Sequence, residues 1–308
     1  RAPVVCAHGQ RFILRDESAQ HTIGGGVILR PVSRRLTRRE SEQHGRLRAL
    51  MQNDSTPRVA EAIRAAGFER LADETLACRC GVEPADVPAI RRRLIDDGLL
   101  VTPIASREVH RDVVAALSER AVRYLRGRHQ RAPDQPGMPT EGFTGWIDRR
   151  STPGLGKVLL ADLQSSGVVT LRGPFAALSA FRPALSPEEE ALMAALIDEL
   201  TAANLDPPLW PKLRAVSGRP KQQQAKLLEL ARADPRLVRL TPQHVIAAAA
   251  IDRLKQCVQS LGASGRPFKL AEVRDALKLS RRAVQPLLEH LDRIQYTRRV
   301  GDERIVIG

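Results

Sequence analysis

The chain has 308 residues and a net charge of +14; 43% of it is hydrophobic, but only 3% is aromatic, so its cores must be largely aliphatic. The longest apolar run, at residues 245–251, is far shorter than the roughly 18 residues that a membrane-spanning helix needs, so the sequence predicts none. The positive charge favours a polyanion as partner, nucleic acid before an acidic membrane, although Arg-rich proteomes raise the charge of proteins of every function.

The first residue of the chain bears on its processing, and the cysteines bear on metal binding. The chain begins at Arg1 with no charged-then-apolar leader, so we interpret it as an internal part of a longer protein without a signal peptide. Of its four cysteines, only Cys78 and Cys80 are close in sequence. Zinc sites usually have two such pairs, or one pair with two histidines, so we predict reduced thiols and no metal site.

Short strands are predicted in the first 32 residues. Apolar alternation indicates strands at residues 4–7, 11–15 and 27–29, with the glycines 24–26 between the second and the third. A few strands cannot form a stable sheet alone. We therefore predict that residues 1–32 are the end of a β-barrel.

From residue 33 the apolar residues recur at helical spacing. The pattern predicts helices at residues 42–52, 56–66, 72–78 and 84–97, and then a strand at 99–104. Helices followed by a strand are the outline of a winged helix, which we assign to residues 33–106. Its Arg91, Arg92 and Arg93 could bind nucleic acid or form a solvated helix face, and the arginines within residues 34–39 could bind RNA or form a plain linker.

The same outline recurs in the next two units. For residues 107–184 the pattern predicts a helix at 107–128, a Pro-containing loop to residue 146, a helix at 155–165 and a strand at 167–172. For residues 185–244 it predicts helices at 187–203 and 220–233 and a strand at 237–240. Ser186 with Glu189 forms a capping-box pattern before the first of these helices.

The last unit, residues 245–308, has the clearest pattern. Helices are predicted at residues 246–261, 270–277 and 281–291, and strands at 295–300 and 303–307 are joined by Gly301 and Asp302, a pair typical of hairpins. The predicted fold class is therefore mainly α (α+β), with tandem small winged-helix domains (helix-turn-helix plus β-wing) preceded by the terminal strands of a barrel.

The candidate binding residues lie in this last unit. A helix N-terminus attracts anions, and winged helices place the hairpin beside their second, recognition helix. Cations fall at both places, so the predicted RNA-binding residues are Ser280, Arg281, Arg282, Arg298, Arg299 and Arg304. Solvated arginines are the alternative. We predict no catalytic, cofactor-binding or metal-binding residue, since the segment 151–157 lacks the first glycine and the hydroxyl of a phosphate loop.

Two segments resemble one family. The first, residues 11–29, is RFILRDESAQHTIGGGVIL, and it resembles the close of the third barrel of elongation-factor-Tu-like GTPases, most of all that of the bacterial selenocysteine-specific translation elongation factor (SelB type). The second, residues 268–306, is FKLAEVRDALKLSRRAVQPLLEHLDRIQYTRRVGDERIV, and it resembles the last winged helix of that factor. A weaker similarity covers residues 124–143. The resemblance implies an elongation-factor-like barrel end followed by four winged helices.

The activity of this family indicates the function that we expect of the chain. The resemblance implies that the chain is the C-terminal part of the factor and binds the selenocysteine insertion (SECIS) hairpin of an mRNA beside a UGA codon, through the six residues given above. It implies a cytoplasmic monomer, with the ribosome as a partner and selenocysteinyl-tRNA held by a part absent here. That part would also bind GTP and Mg²⁺, so this chain is expected to hold no cofactor and not to be an enzyme. A winged-helix DNA-binding transcriptional regulator is the alternative, against which the barrel strands argue.

Overall fold

The computed structural model describes residues 4–18, 20–32, 47–48, 50–105 and 107–307. The chain divides into two compact units, residues 1–123 with 144–163 and residues 124–143 with 164–308. The boundaries of the barrel end and of the four winged helices are a finer division, and they stay a prediction. Within the described ranges, every helix is too short or too polar to cross a bilayer.

An antiparallel hairpin begins the first unit, with β1 at Arg11–Arg15 and β2 at Thr22–Val27. The strand prediction for residues 11–15 is confirmed, whereas residues 4–7 form no strand. The glycines expected between strands lie inside β2. A Cβ on Gly25 would lie 2.6 Å from the carbonyl oxygen of Phe12, so the close approach of the two strands requires a glycine there.

Helices and a second hairpin complete the first unit. The bounds are α1 (Ser55–Ala66), α2 (Asp73–Cys80), a 3₁₀ turn (Pro84–Asp86), α3 (Val87–Asp96), β3 (Leu100–Ile104) and β4 (Arg107–His110). Three further helices belong to this unit only in part: the first part of α4 (Arg111–Arg131), the end of α5 (Thr140–Asp148) and most of α6 (Leu155–Ser165). Leu76, Val87 and Leu94 are fully buried in its core. The predicted helix at 42–52 and the arginines of residues 34–39 fall wholly or largely outside the described residues.

Strand β4 corrects the predicted start of the following helix. The sequence predicts a helix from residue 107, but Val109 pairs with Val101 across the β3–β4 hairpin and is 1% exposed. Helix α4 begins only at Arg111. Pairing with a strand several residues away therefore outweighs the local helical spacing, which carries no information about partners.

The second unit contains two further hairpins and their helices. The bounds are β5 (Met138–Pro139), β6 (Val169–Arg172), β7 (Phe175–Leu178), α7 (Pro187–Ala203), a 3₁₀ turn (Trp210–Lys212), α8 (Lys221–Ala233), β8 (Leu237–Thr241) and β9 (His244–Ala247). The loop predicted up to residue 146 is wrong, because β5 pairs with β7 and α5 follows it directly. Thr140 fixes this corner: its N–H and its Oγ1 both donate to the carbonyl of Pro174, at 2.8 and 2.9 Å.

The capping box before α7 is confirmed. The Oγ of Ser186 accepts a hydrogen bond from the N–H of Glu189 at 3.2 Å, and the Glu189 carboxylate accepts one from the N–H of Ser186 at 3.0 Å. Two free N–H groups at the helix start are satisfied in this way. The helix then buries Leu196 and Leu200 against Leu213 in the core.

The second unit ends in a helix-turn-helix with a hairpin. The bounds are α9 (Ala248–Leu261), a 3₁₀ turn (Ala263–Gly265), β10 (Phe268–Lys269), α10 (Leu270–Leu277), α11 (Arg281–Arg293), β11 (Thr297–Val300) and β12 (Glu303–Val306). The sheet has the order β10-β12-β11 and is antiparallel. This is a winged helix, and the predicted fold class, mainly α with small β-sheets, is confirmed.

Candidate nucleic-acid interface

The start of helix α11 combines a helix N-terminus with two arginines. Ser280 is the N-cap: its backbone is extended, and its Oγ accepts a hydrogen bond from the N–H of Ala283 at 3.3 Å. Arg281 and Arg282 are exposed and follow it directly. Within the described part of the chain, neither guanidinium forms a hydrogen bond or an ion pair. Both cations therefore stand beside the positive end of the helix dipole, where a phosphate is favoured.

Burial on the opposite side of α11 fixes this orientation. Val284, Leu287, Leu288 and Leu291 recur at helical spacing and are at most 1% exposed. Rotation of the helix would expose all four of them, at a cost of roughly 1.5–3 kcal/mol for each side chain. The core of the last winged helix therefore holds the arginines at the start of α11 in solvent.

The hairpin divides its three arginines between two faces. Its turn is at Gly301, whose φ of 62° suits a glycine. Arg299 pairs with Arg304, whereas Arg298 pairs with Ile305. Directly opposed residues share a face and neighbours along a strand alternate, so Arg298 lies on the face opposite to Arg299 and Arg304.

Arg304 departs from its predicted role. It is 6% exposed, and its Nε lies 2.9 Å from Oδ2 of Asp292, near the end of α11. The other carboxylate oxygen of Asp292 accepts a hydrogen bond from Oγ1 of Thr297 at 2.6 Å. A side chain buried in this ion pair cannot reach a ligand without breaking it. We therefore withdraw Arg304 from the candidate interface and assign it to the attachment of the hairpin to α11.

Arg299 is the hairpin arginine on the side of α11. It shares its face with Thr297 and Arg304, which are both buried and both bonded to a residue of that helix. Arg299 itself is exposed, and its Nε donates to the carbonyl of Gly301 at 2.9 Å, which leaves its other donors for a ligand. Arg298 is also exposed but faces away from the helix. We define the candidate interface as Ser280, Arg281, Arg282 and Arg299, with Arg298 at its margin.

Lys278 is a cation that the sequence analysis missed. It is exposed and lies two residues before Ser280, in the turn between α10 and α11. Its φ of 54° is a left-handed conformation that ends α10. The sequence feature that could have indicated Lys278 is a basic residue in the turn of a helix-turn-helix. Only the structure shows that this residue is on the surface next to the N-cap.

Three acidic side chains of the last winged helix are engaged with other residues. Glu289 accepts a hydrogen bond from Gln285 at 2.9 Å, and Asp275 pairs with Arg274 at 2.7 Å. Glu272 pairs with Arg266 at 2.6 Å. In the described ranges no carboxylate pairs with Arg281 or Arg282, so none competes with an incoming anion for these two side chains.

The second basic candidate is the run Arg91, Arg92 and Arg93 in the first unit. Of these, Arg91 forms ion pairs within the protein. Nε of Arg91 lies 2.8 Å from Asp73 and its Nη1 lies 2.6 Å from Glu108, while its Nη2 donates to the carbonyl of Leu71. Arg92 and Arg93 are exposed. Arg91 therefore links α2, α3 and β4, and the structure favours the solvated-face interpretation for its neighbours.

His290 makes the stability of the last winged helix depend on pH. Its Nδ1 is buried and has no partner among the described residues. Burial lowers the pKa of His290 below its ordinary value of 6.5, and the charges of Arg293 and Lys255 lower it further. The unfolded chain therefore binds a proton at a higher pH than the folded chain, so this domain should lose stability as the pH falls from about 7 to about 5.

Urea unfolding at both ends of this pH range would test the effect of His290. We expect the His290→Gln variant to show a smaller loss of unfolding free energy on acidification than the unmodified chain. The comparison removes the contributions of the other histidines, which are common to both proteins. An unchanged pH dependence in the variant would refute this role of His290.

Models of two domains of one factor match the two ends of the chain. Residues 1–35 match the model described as "Selenocysteine-specific elongation factor, beta-barrel domain", and residues 261–306 match the one described as "Elongation factor SelB, winged helix". The second match contains α10, α11 and the hairpin, and so all the residues of the candidate interface.

Among curated proteins, the chain is similar to the selenocysteine-specific elongation factor of Desulfomicrobium baculatum. The two are 25% identical over 312 residues, an alignment that covers 98% of this chain and 48% of the relative. The chain thus spans less than half the length of the curated relative that it matches.

Several solved structures are similar to the chain, and two of them are selenocysteine-specific elongation factors or parts of one. One is a crystal structure of bacterial selenocysteine-specific elongation factor EF-Sec, 19% identical, with a TM-score of 0.43, covering 98% of this chain and 46% of the other. The other is the mRNA-binding domain of elongation factor SelB from E. coli in complex with SECIS RNA, 20% identical, with a TM-score of 0.35, covering 40% of this chain and 100% of the other. Both TM-scores are low, so neither match assigns a role to a residue. The barrel and winged-helix matches, in this order, together with the alignment over nearly the whole chain, confirm its resemblance to the C-terminal part of the SelB-type selenocysteine-specific elongation factor.

Proposed function

We propose that this chain is the mRNA-binding region of a selenocysteine-specific elongation factor, and that its last winged helix binds the SECIS hairpin to direct selenocysteine incorporation at UGA. The observation that carries the proposal is the pair of exposed arginines at the capped N-terminus of α11, which no carboxylate of the described residues neutralises, with Arg299 on the adjoining hairpin. A folded RNA presents phosphates on two sides of a groove or loop, and these two elements offer cations from two directions. The winged-helix match to residues 261–306 supports the same assignment.

The proposal also covers where the chain acts and which tasks it leaves to the rest of the factor. The chain would act in the cytoplasm as a monomer, on the ribosome, and it would leave selenocysteinyl-tRNA, GTP and Mg²⁺ to the rest of the factor. It would therefore bind RNA without hydrolysing GTP. Turnover of GTP by the purified 308-residue chain would contradict this division of tasks.

A gel-shift comparison tests the proposed partner. The chain would be titrated against the SECIS hairpin of its own mRNA, the same hairpin with a scrambled loop, and a DNA duplex of equal length, at one fixed salt concentration. We expect the tightest binding to the intact hairpin, because base contacts in a loop add to the phosphate contacts that all three molecules share. Equal affinity for the DNA duplex would favour a DNA-binding regulator and would overturn the proposal.

Arg281 should contribute measurably to hairpin affinity. We expect Arg281→Ala to weaken binding by about 1–3 kcal/mol, because the lost group pairs with no carboxylate of the described residues and its contact with RNA would be charge-assisted. Arg299→Ala should have an effect in the same range, and Arg298→Ala a smaller one, since Arg298 faces away from α11. Arg253→Ala is the matched control, because Arg253 is exposed on α9 in the same domain. Binding of the Arg281 variant with the affinity of this control would remove Arg281 from the site.

A further inference from the structure

A cleft in the second unit lies outside the hairpin interface. Its volume is about 650 Å³, within the range of pockets that hold small organic ligands. One wall comes from β6 and the segment after β7, and the other from α7 and the end of α8. Every lining residue belongs to the second unit.

Two arginines of the first wall share one carbonyl oxygen. Arg172 is half-buried, and its Nη2 donates to the carbonyl of Phe181. Arg182 donates through Nη1 to the same carbonyl and to that of Ser179, both at 2.8 Å. Neither guanidinium pairs with a carboxylate of the described residues. Two like charges are thus held close together without a neutralising carboxylate from the described residues, an arrangement that a bound anion would stabilise.

The electrostatics of Arg172 agree with this geometry. Burial lowers the pKa of Arg172, and the charge of Arg182 lowers it further. A phosphate between the two would relieve both effects, since it supplies the missing negative charge and accepts the unused N–H donors.

Other charges on the walls leave this pair unneutralised. Arg236 and Asp234 compensate each other through contacts of 3.0 and 2.8 Å. Glu190, on α7 in the opposite wall, is the remaining carboxylate of the cleft; it is exposed and forms no ion pair with Arg172 or Arg182. The cleft therefore carries three arginines against two carboxylates.

The arginine pair is held on a fixed support. The Phe181 ring stacks on that of His129 with 3.8 Å between the centroids, and Nε2 of His129 accepts a hydrogen bond from the N–H of Leu178 at 3.2 Å. In the helices of the second wall, Nζ of Lys226 on α8 lies 2.5 Å from the carboxylate of Glu189 on α7 and 2.5 Å from that of Asp134. These contacts hold the walls in place, so the cations are preorganised rather than gathered by the ligand.

Much of the rest of the cleft is apolar. Met193 and Leu230 form part of it, and Leu185, Pro183 and Pro235 continue the surface. An inorganic ion would leave this surface empty, whereas a sugar and base attached to the phosphate would cover it.

We propose that the cleft binds a nucleotide, with its phosphate on Arg172 and Arg182 and its base against the apolar wall around Met193. The nucleotide comes either from a single-stranded RNA segment or from a free mononucleotide. This site is separate from the hairpin interface and does not depend on it.

The test uses the full chain with Arg281, Arg282 and Arg299 all replaced by alanine, so that the three cations of the hairpin interface are absent. Binding of adenosine monophosphate is measured by calorimetry, and binding of a labelled single-stranded oligoadenylate of about ten nucleotides by fluorescence anisotropy. Arg182→Gln removes one cation of the pair. Ala194→Glu, at an exposed position of α7 in the cleft, adds a carboxylate and breaks no hydrogen bond. Arg253→Gln is the charge-matched control for Arg182→Gln.

We expect each cleft variant to weaken binding at least about tenfold relative to the control, with unchanged circular dichroism. Binding of both probes assigns the site to free mononucleotides, and binding of the oligonucleotide alone assigns it to an RNA strand. Failure of both probes to bind, or affinities in both cleft variants equal to that of the control, would overturn the proposal and leave the hairpin function untouched.

Discussion

Replacement of Asp292 by asparagine should lower the free energy of unfolding of the last winged helix by about 3 kcal/mol, because it leaves a buried charge without its partner. The side chain of Arg304 is 7% exposed, and among the described residues its one ion-pair partner is Asp292, whose own side chain is 23% exposed. Asparagine can still accept a hydrogen bond from Thr297, so the lost charge is the main change. The guanidinium must then remain buried and uncompensated, or move into solvent and detach the hairpin from α11.

Native-state hydrogen exchange of the full chain would measure this loss within the one domain. The amides of residues 281–306 should open more readily in Asp292→Asn, whereas those of the first unit should be unaffected. Asp275→Asn is the matched control, since Asp275 pairs with the exposed Arg274 on α10. The control should change stability by less than about 0.5 kcal/mol. Similar protection in both variants would mean that the Asp292–Arg304 pair stabilises nothing.

Replacement of Phe268 by alanine should cost about 3–5 kcal/mol, the range for removal of a large buried aromatic side chain. Phe268 is fully buried, and its ring lies in one core with Val273, Val284 and Leu288. It also pairs with Arg304 across β10 and β12, so the resulting cavity lies beside the buried ion pair. We therefore expect the helix, the turn and the hairpin to lose stability together.

Denaturant unfolding followed at the last winged helix would show the effect of Phe268→Ala, with hairpin binding as a second measurement. Phe268→Leu should recover more than half of the loss, because leucine fills most of the space. Val300→Ala is the exposed control in the same sheet, since Val300 is 56% exposed. If Phe268→Ala and Val300→Ala unfold at the same denaturant concentration, the role assigned to the Phe268 ring is wrong.

Local patterns predicted those helices whose ends carry a local signal. The sequence predicted helices at 155–165 and 270–277, and the structure has the same bounds. It also gave the first residue of α11, because Ser280 caps it and the cap is a short-range interaction. Apolar spacing and capping depend on neighbours within about one helical turn, which the sequence displays directly.

Three strands that depend on pairing with another segment were not predicted from the sequence. The sequence analysis did not predict β4, β7 or β9, and it continued helices into the first and the last of these. Each is a four-residue strand that is stable only because it pairs with the strand before it, as Val109 does with Val101. Strand formation depends on such partners more than on intrinsic preference, so the pattern of one segment could not decide it.

The candidate site was predicted in part for the same reason. Charge and position along the chain indicated Arg281, Arg282 and Arg299, which the structure leaves exposed. They could not indicate that Arg304 is buried, because its partner Asp292 lies on a different element. Burial of a charge is a tertiary property, and a count of arginines on a hairpin does not contain it.

The Asp292 carboxylate serves two partners at once, since one oxygen accepts from Thr297 and the other pairs with Arg304. These three positions are therefore coupled during sequence divergence. A relative with an apolar residue at position 304 should also lack the carboxylate at position 292. Arg281 and Arg282 have no ion-pair partner among the described residues, so they are free to change with the RNA alone. Correlated substitution at 292 and 304, independent of 281 and 282, is the pattern that this architecture predicts for its homologues.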